Sequence, residues 1–221
     1  MKVTTDSCLF GAWCAHELQT SKVQYPQLLD IGTGTGLLSL MAAQKNNSEI
    51  DAVEIDNEAA QQAGENVAAS PWKERITVWN EDVGQWIPTK KYNVILSNPP
   101  FYEGDLKSVK QSKNLAHHDD GLKLEALLKF VKTYLAKDGF FYLLLPAKRW
   151  EYLETLLAEL DLHLHKKVAV KQSIVHTPFR LMVQGSHSKG ELFTGNISIK
   201  DNREKYTYEF SSLLREYYLH L

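Results

Sequence analysis

Cysteine is nearly absent from this sequence: Cys8 and Cys14 are the only two in 221 residues. Two thiols so close together form neither a disulfide framework nor the paired spacing of a zinc site, and they suit a reducing cytoplasm. Long apolar runs are missing too; none approaches the roughly 20 residues of a membrane span. The first residues lack the basic, apolar and small-residue pattern of a secretory signal. Glycine (12) and proline (7) are too few for a fibrous or low-complexity chain, and no repeat or linker divides the sequence. These absences argue against a secreted disulfide scaffold, a membrane-spanning protein and a structural zinc module. What remains is an ordinary globular composition, 43% hydrophobic and 24% charged. It is expected to form one domain over residues 1–221 that buries roughly 70% of its unfolded surface.

The net charge of -2 hides an asymmetry. Residues 1–161 carry 16 basic and 22 acidic side chains; residues 162–221 carry 9 and 5. Between Leu162 and Gly190 stand Lys166, Lys167, Lys171, Arg180 and Lys189, with His163, His165, His176 and His187 and no acid. Such a stretch is either a polyanion-binding face or a solvated strand face.

Periodicity predicts alternating elements. A helix over residues 7–20 has Leu9, Trp13, His16 and Leu18 near one face. Strand and helix then alternate: strand 27–31, helix 36–44, strand 50–55, helix 58–69 capped by Asn57, strands 76–79 and 92–97. A helix over 122–135 is closed by Lys137-Asp138-Gly139. A strand over 140–145, a helix over 150–160 and strands 163–170 and 179–184 follow. No helix separates the last two strands, so they should pair as an antiparallel hairpin at one edge of an otherwise parallel α/β sheet with helices on both faces. A short strand from residue 197 and a helix from about residue 208 complete the chain.

The junction of the first strand and second helix reads Leu29-Asp30-Ile31-Gly32-Thr33-Gly34-Thr35-Gly36-Leu37. Glycines let a ligand approach the backbone, and the helix that follows offers free N–H groups. A dinucleotide fingerprint would need its third glycine at position 37, where Leu stands, and no P-loop lysine follows. Asp30 would repel a pyrophosphate but can organise the loop and attract an ammonium, which favours a ligand with an amino-acid end. At the end of the next strand, Glu54-Ile55-Asp56 offers a carboxylate to ribose hydroxyls; at the end of the third, Asp82 could meet an adenine amino group. Each acid alone could equally be a surface residue. Together they line one crevice at the carboxyl edge of the sheet.

The fourth strand ends in Ser97-Asn98-Pro99-Pro100-Phe101-Tyr102. Two prolines stiffen the backbone and remove two donors. Their carbonyls and the Asn98 side-chain oxygen make a cluster of acceptors beside the flat face of Phe101. That combination suits a planar group bearing an NH2, either a base or a primary amide.

With these motifs the chain resembles the class I S-adenosylmethionine-dependent methyltransferases that carry an Asn-Pro-Pro-aromatic motif. The resemblance implies a Rossmann-like, seven-stranded, mostly parallel sheet in the order 3-2-1-4-5-7-6, with strand 7 antiparallel. It implies that Asp30, Gly32, Thr33, Gly34 and Gly36 hold the methionine end of the cofactor, Glu54 and Ile55 the ribose, and Asp82 and Val83 the adenine. Asn98, Pro99, Pro100 and Phe101 would form the catalytic motif, with Asn98 also beside the cofactor.

Lys2-Val3-Thr4-Thr5-Asp6, Leu9-Phe10-Gly11-Ala12-Trp13, Ala69-Ser70-Pro71-Trp72 and Glu216-Tyr217-Tyr218-Leu219 resemble bacterial tRNA1(Val) adenosine-37 N6-methyltransferases. That family implies tRNA as partner, no metal, a monomer, and a region 1–24 in which Thr5 and Asp6 close over the cofactor. Lys107, Lys110, Lys113, Lys166, Lys167, Lys171 and Arg180 would contact RNA phosphates from a basic C-terminal region, 162–221. Family members usually carry a segment before the Lys-Val motif, which here directly follows Met1. His117-His118-Asp119 stands where the family tends to show Arg-His-Glu, in a loop that either touches substrate or is solvated.

Four other readings remain. Protein-glutamine N5 methylation uses a similar motif, usually with Tyr in its fourth place and a larger N-terminal helical domain. Adenines of ribosomal RNA or DNA are further substrates, although DNA enzymes typically carry a separate recognition domain. A catalytically silent RNA-binding module could keep the fold. A nicotinamide dehydrogenase lacks support from position 37.

Overall fold

The computed structural model describes residues 3–19, 27–99 and 123–220. In chain order the elements are α1 (Thr5–Gln19), β1 (Gln27–Ile31), α2 (Leu37–Lys45), β2 (Glu49–Glu54), α3 (Asn57–Ala68), β3 (Ile76–Asn80) and β4 (Tyr92–Ser97). There follow α4 (Leu124–Tyr134), β5 (Leu135–Pro146), α5 (Trp150–Glu159), β6 (His163–Ser173), β7 (Arg180–Ser186), β8 (Phe193–Lys200) and α6 (Tyr208–Leu214). Among the described residues, no helix is long and apolar enough to cross a membrane.

The strands form one sheet in the order β3-β2-β1-β4-β5-β7-β6-β8. β1 to β5 run parallel, and β7 is antiparallel to both β5 and β6. The expected order is present, and the sheet gains an eighth strand, β8, parallel to β6. Its eight residues, FTGNISIK, bury only Ile199 fully, so the apolar pattern is too thin to announce its full length. β5 also starts earlier than periodicity suggests. Pairing with β4 steps from Tyr92↔Leu135 to Val94↔Phe140, so residues 136–139 form an irregularity within the strand. Gly139 belongs there because a Cβ would lie 2.8 Å from the Asn93 carbonyl oxygen.

Alternate strand residues feed two cores. One face joins Leu28, Ile50, Val94, Leu144 and Met182 to α1, α2 and α6; the other joins Ile31, Val53, Ile95 and Leu143 to α4 and α5. α1 differs from the one-faced helix expected. Cys8 through Ala15 are all buried, and His16 is exposed. A helix apolar all round must be covered all round. The sheet covers it on one side, α2 approaches at Gly11, and α6 contributes Phe210 and Leu214. The N-cap of α3 is Asp56, not Asn57: its Oδ1 accepts from Ala59 N at 2.8 Å.

Gly185 marks the tightest point of the reversed strand. A Cβ there would lie 2.4 Å from Phe141 Cζ and 2.7 Å from the His163 carbonyl oxygen. Gly185→Ala should therefore cost about 1–3 kcal/mol through overpacking. Urea unfolding would show a lowered midpoint; an unchanged midpoint would mean that both the Phe141 ring and the backbone at His163 yield at little cost.

Candidate active site

The strand ends β1, β2, β3 and β4 meet at the carboxyl edge of the sheet. β1 delivers Asp30 and then turns through the glycine loop into α2. Gly32 and Gly36 hold φ of +70° and +82°, backbone that L side chains rarely adopt. The loop is anchored to β2, because Gly32 N and Thr33 N both donate to the Val53 carbonyl, at 2.9 and 3.1 Å. An added Cβ at Gly32 would meet nothing within 4 Å, so the backbone there lies open to a ligand.

Asp30 is fully buried. Its Oδ2 accepts from Thr33 Oγ1 (2.6 Å), Ser39 Oγ (2.8 Å) and Ser39 N (3.2 Å). Its Oδ1 is buried with no partner. Burial pushes the carboxyl up to about 6, against the lowering effect of the Thr33 and Ser39 bonds, and nearby Glu54 adds to the rise. A buried carboxylate with one unpartnered oxygen fits a cationic donor, which is what the ammonium of an amino-acid ligand provides.

Glu54, also buried, accepts from Gly34 N at 2.8 Å and Asp56 N at 3.0 Å. Each oxygen keeps a second lone pair for a ribose hydroxyl. Ile55 beside it is 67% exposed, an apolar surface at the crevice. Asp82 closes its own turn, accepting from Gly84 N (2.8 Å) and Gln85 Nε2 (3.1 Å), while Val83 is buried in the core of the α4 face.

At the end of β4, Ser97 Oγ donates to the Ile31 carbonyl (2.8 Å), locking β4 to β1 below Asn98. Asn98 Nδ2 donates to Ser7 Oγ at 2.8 Å, and Ser7 Oγ in turn lies 2.8 Å from Thr4 Oγ1. Among the described residues, the Asn98 Oδ1 takes no hydrogen bond. Asp6 accepts from Arg180 Nε at 2.8 Å, so Thr5 and Asp6 sit in a first helical turn held to β7. Pro99 is buried. Pro100, Phe101, Lys107, Lys110, Lys113 and His117-His118-Asp119 lie outside the described residues.

The basic stretch is more occupied than its composition suggests. Lys166 donates to Glu17 at 2.5 Å, Lys167 lies 3.3 Å over the Trp150 ring and Arg180 pairs with Asp6. Among the described residues, Lys171 makes no ion pair. Sequence reasoning missed Ser39, which shares Asp30, and Ser7, which holds Asn98. Ser39 carries a faint signal as a small polar residue in the first turn after the glycine loop; Ser7 carries none, because its partner is 91 positions away.

A family model, the methyltransferase small domain, matches residues 14–148. A tRNA1(Val) (adenine(37)-N6)-methyltransferase from Citrobacter koseri is 37% identical, over 99% of this chain and 89% of its own length. One from Bacteroides thetaiotaomicron is 38% identical, over 100% and 92%. Among solved structures, a predicted O-methyltransferase from Agrobacterium tumefaciens superposes with a TM-score of 0.71 at 13% identity, over 94% of this chain and 95% of its own. A putative RNA methyltransferase from Pyrococcus horikoshii gives 0.58 at 20%, over 82% and 80%. Fold and crevice together define a Rossmann-like methyltransferase. Within that class, the chain belongs to the tRNA1(Val) (adenine(37)-N6)-methyltransferase family.

Asp30 makes the crevice pH-sensitive in two opposite senses. Its folded pKa lies above the ordinary 3.8, so ionising it costs the free protein stability as pH rises from 3.8 to about 6. A cationic ligand needs the ionised form, so affinity for S-adenosylmethionine should fall roughly tenfold per unit below about pH 6. Calorimetry across that range should show this fall in the native protein. Asp30→Asn should bind weakly at every pH and lose the matching part of the pH dependence of its urea midpoint.

Proposed function

We propose that the chain transfers a methyl group from S-adenosylmethionine to the exocyclic N6 of an adenine in tRNA, at adenosine 37 of tRNA1(Val). Family membership supports the reaction and its substrate, and a tRNA substrate carries with it a cytoplasmic site of action. The observation that carries the site assignment is the Asn98 amide: its NH2 is held by Ser7, which leaves the Oδ1 acceptor for an incoming amine.

The residues present fit the cofactor. The unpartnered Oδ1 of Asp30 would take the ammonium of its methionine end, Glu54 its ribose hydroxyls, and exposed Ile55 with Asp82 and the backbone at Val83 its adenine. When bound, the cofactor supplies an electrophilic methyl on a positively charged sulfur. The chain's own task is positioning. An adenine N6 lone pair is spread into the ring and is a poor nucleophile. Asn98 Oδ1 and the Pro99 carbonyl, accepting its two N–H groups, would favour a more tetrahedral and more reactive nitrogen. No strong base is required, since the proton is acidic once the nitrogen is substituted. The adenine must leave its stack to reach these acceptors, which an anticodon loop permits at low cost. Phe101 would stack on it.

The test is incubation with labelled S-adenosylmethionine and separate pools of tRNA, ribosomal RNA and ribosomal proteins or release factors, followed by nucleoside mass spectrometry. N6-methyladenosine confined to valine tRNA is the expected result. Label in a protein glutamine or in ribosomal RNA would keep the chemistry and overturn the substrate. Asn98→Ala should lower methyl transfer by about 100-fold or more, the scale of one lost preorganised hydrogen-bonding group. It should leave cofactor affinity nearly unchanged; loss of both together would overturn the role given to Asn98.

A further inference from the structure

A second concavity, about 280 Å³, opens on the same edge of the sheet; apart from Thr5 and Asp6, which the family resemblance places over the cofactor, its lining has no part in the reading above. One wall is Thr5 and Asp6; the others are Gln172, Phe179, Lys200 and Tyr206, over a floor of Ile199. The first turn of α1 is thus shared. Ser7 reaches Asn98 on one side, and Thr5 and Asp6 face this pocket on the other. The reversed direction of β7 makes this possible, because it brings the start of that strand, Arg180, to the level of Pro146 at the end of β5. Counting strands from β4, Arg180 lies two spacings from Asn98 and Gln172 three, or roughly 10–15 Å.

The lining has the chemistry of a nucleobase site. Tyr206, 44% exposed, is backed by Phe210 in a stacked pair at 4.9 Å and 23°, which holds its ring as a platform. Phe179 is fixed by its backbone, donating to the Val170 carbonyl and accepting from Ala147 N, and Arg180 lies 5.5 Å over its ring. Gln172 is exposed at the rim, and its amide, one donor group and one acceptor, has no hydrogen bond among the described residues. Lys200, whose ammonium also meets Glu204, supplies a cation at the rim. Asp6, which also lines the pocket, is neutralised by Arg180, and aromatic faces with an uncommitted amide and a cation at the rim are what single-stranded RNA recognition uses.

We propose that this pocket binds the base of a nucleotide adjacent to the target adenosine, so that α1 senses the target and its neighbour through one helical turn. The proposal rests on the tRNA reading. Its test is single-turnover methylation of a hairpin RNA carrying the anticodon stem and loop of tRNA1(Val). Each neighbour of the target is kept intact or replaced, one at a time, by an abasic ribose. For the native enzyme, an abasic neighbour on one side should raise the RNA concentration at half-maximal rate by about tenfold, as expected for one lost base–aromatic stack. Tyr206→Ala should raise it equally on the intact RNA and add nothing further on that abasic RNA; Tyr206→Phe should behave as native. Gln172→Ala, an exposed substitution, should cause a smaller rise with the same dependence on that neighbour, and cofactor affinity should be native throughout. Equal losses on intact and abasic RNA, or native behaviour of both Tyr206→Ala and Gln172→Ala, would overturn the subsite while leaving the tRNA reading intact. A native enzyme that methylates no RNA would overturn both.

Discussion

The carboxylate of Asp30 is the constraint on which the crevice depends. A buried charge is costly to hold, and here three donors converge on one of its oxygens while the other has none. Two of the donors come from Ser39 in the first turn of α2, and the third from Thr33 in the loop. A single oxygen thereby fixes the entry of α2, the course of the glycine loop and the level at which β1 stops. Glu54 repeats the device one strand over, gripping Gly34 from β2. The loop is shaped by the same acids to which the proposed reading gives the cofactor, and the unpartnered oxygen of Asp30 is the acceptor that reading leaves for its ammonium.

How much of this was legible in the sequence follows from what kind of information each feature carries. The parallel direction of the strands, the antiparallel hairpin and the crevice acids are local signals: a strand that ends in an acid, a glycine loop with the wrong spacing for a dinucleotide, two strands with no helix between them. The strand order came from the family resemblance, and β8 displaces the hairpin from the sheet edge where it was expected. The misreadings also have physical causes. Asn57 and Asp56 are both competent caps, and the backbone enters the helix one residue earlier than composition can decide. Lys137-Asp138-Gly139 does interrupt regular structure, but as an irregularity inside β5. A charge pattern cannot report partners. Lys166 and Lys167 read as a free basic face, yet Glu17, far off in the chain, and the Trp150 ring on the preceding helix occupy them.

The reversed strand has the largest effect on the site. In a sheet of parallel strands, only strand ends and the loops after them reach the carboxyl edge. β7 contributes a strand beginning instead, and with it Phe179 and Arg180. The Asp6–Arg180 pair then ties the first turn of α1 to this foreign element. Asn98, α1 and β7 are thus mechanically connected through two short polar contacts, Asn98–Ser7 and Asp6–Arg180, although they lie at residues 98, 5–19 and 180–186.

The all-round burial of α1 sets an order of events during synthesis. Residues 5–19 leave the ribosome first among the described elements, yet part of their cover is Phe210 and Leu214 of α6. Tyr217 and Glu216 then reach α2, through the Met41 carbonyl and Lys45. Until some 200 residues have been translated, the apolar stretch from Cys8 to Ala15 lacks the last part of its enclosure. At roughly 5–20 residues per second that interval lasts about ten seconds or more, long against the microseconds a helix needs to form. The side of α1 that α6 covers therefore stays open long after α2 and the first strands can cover the rest.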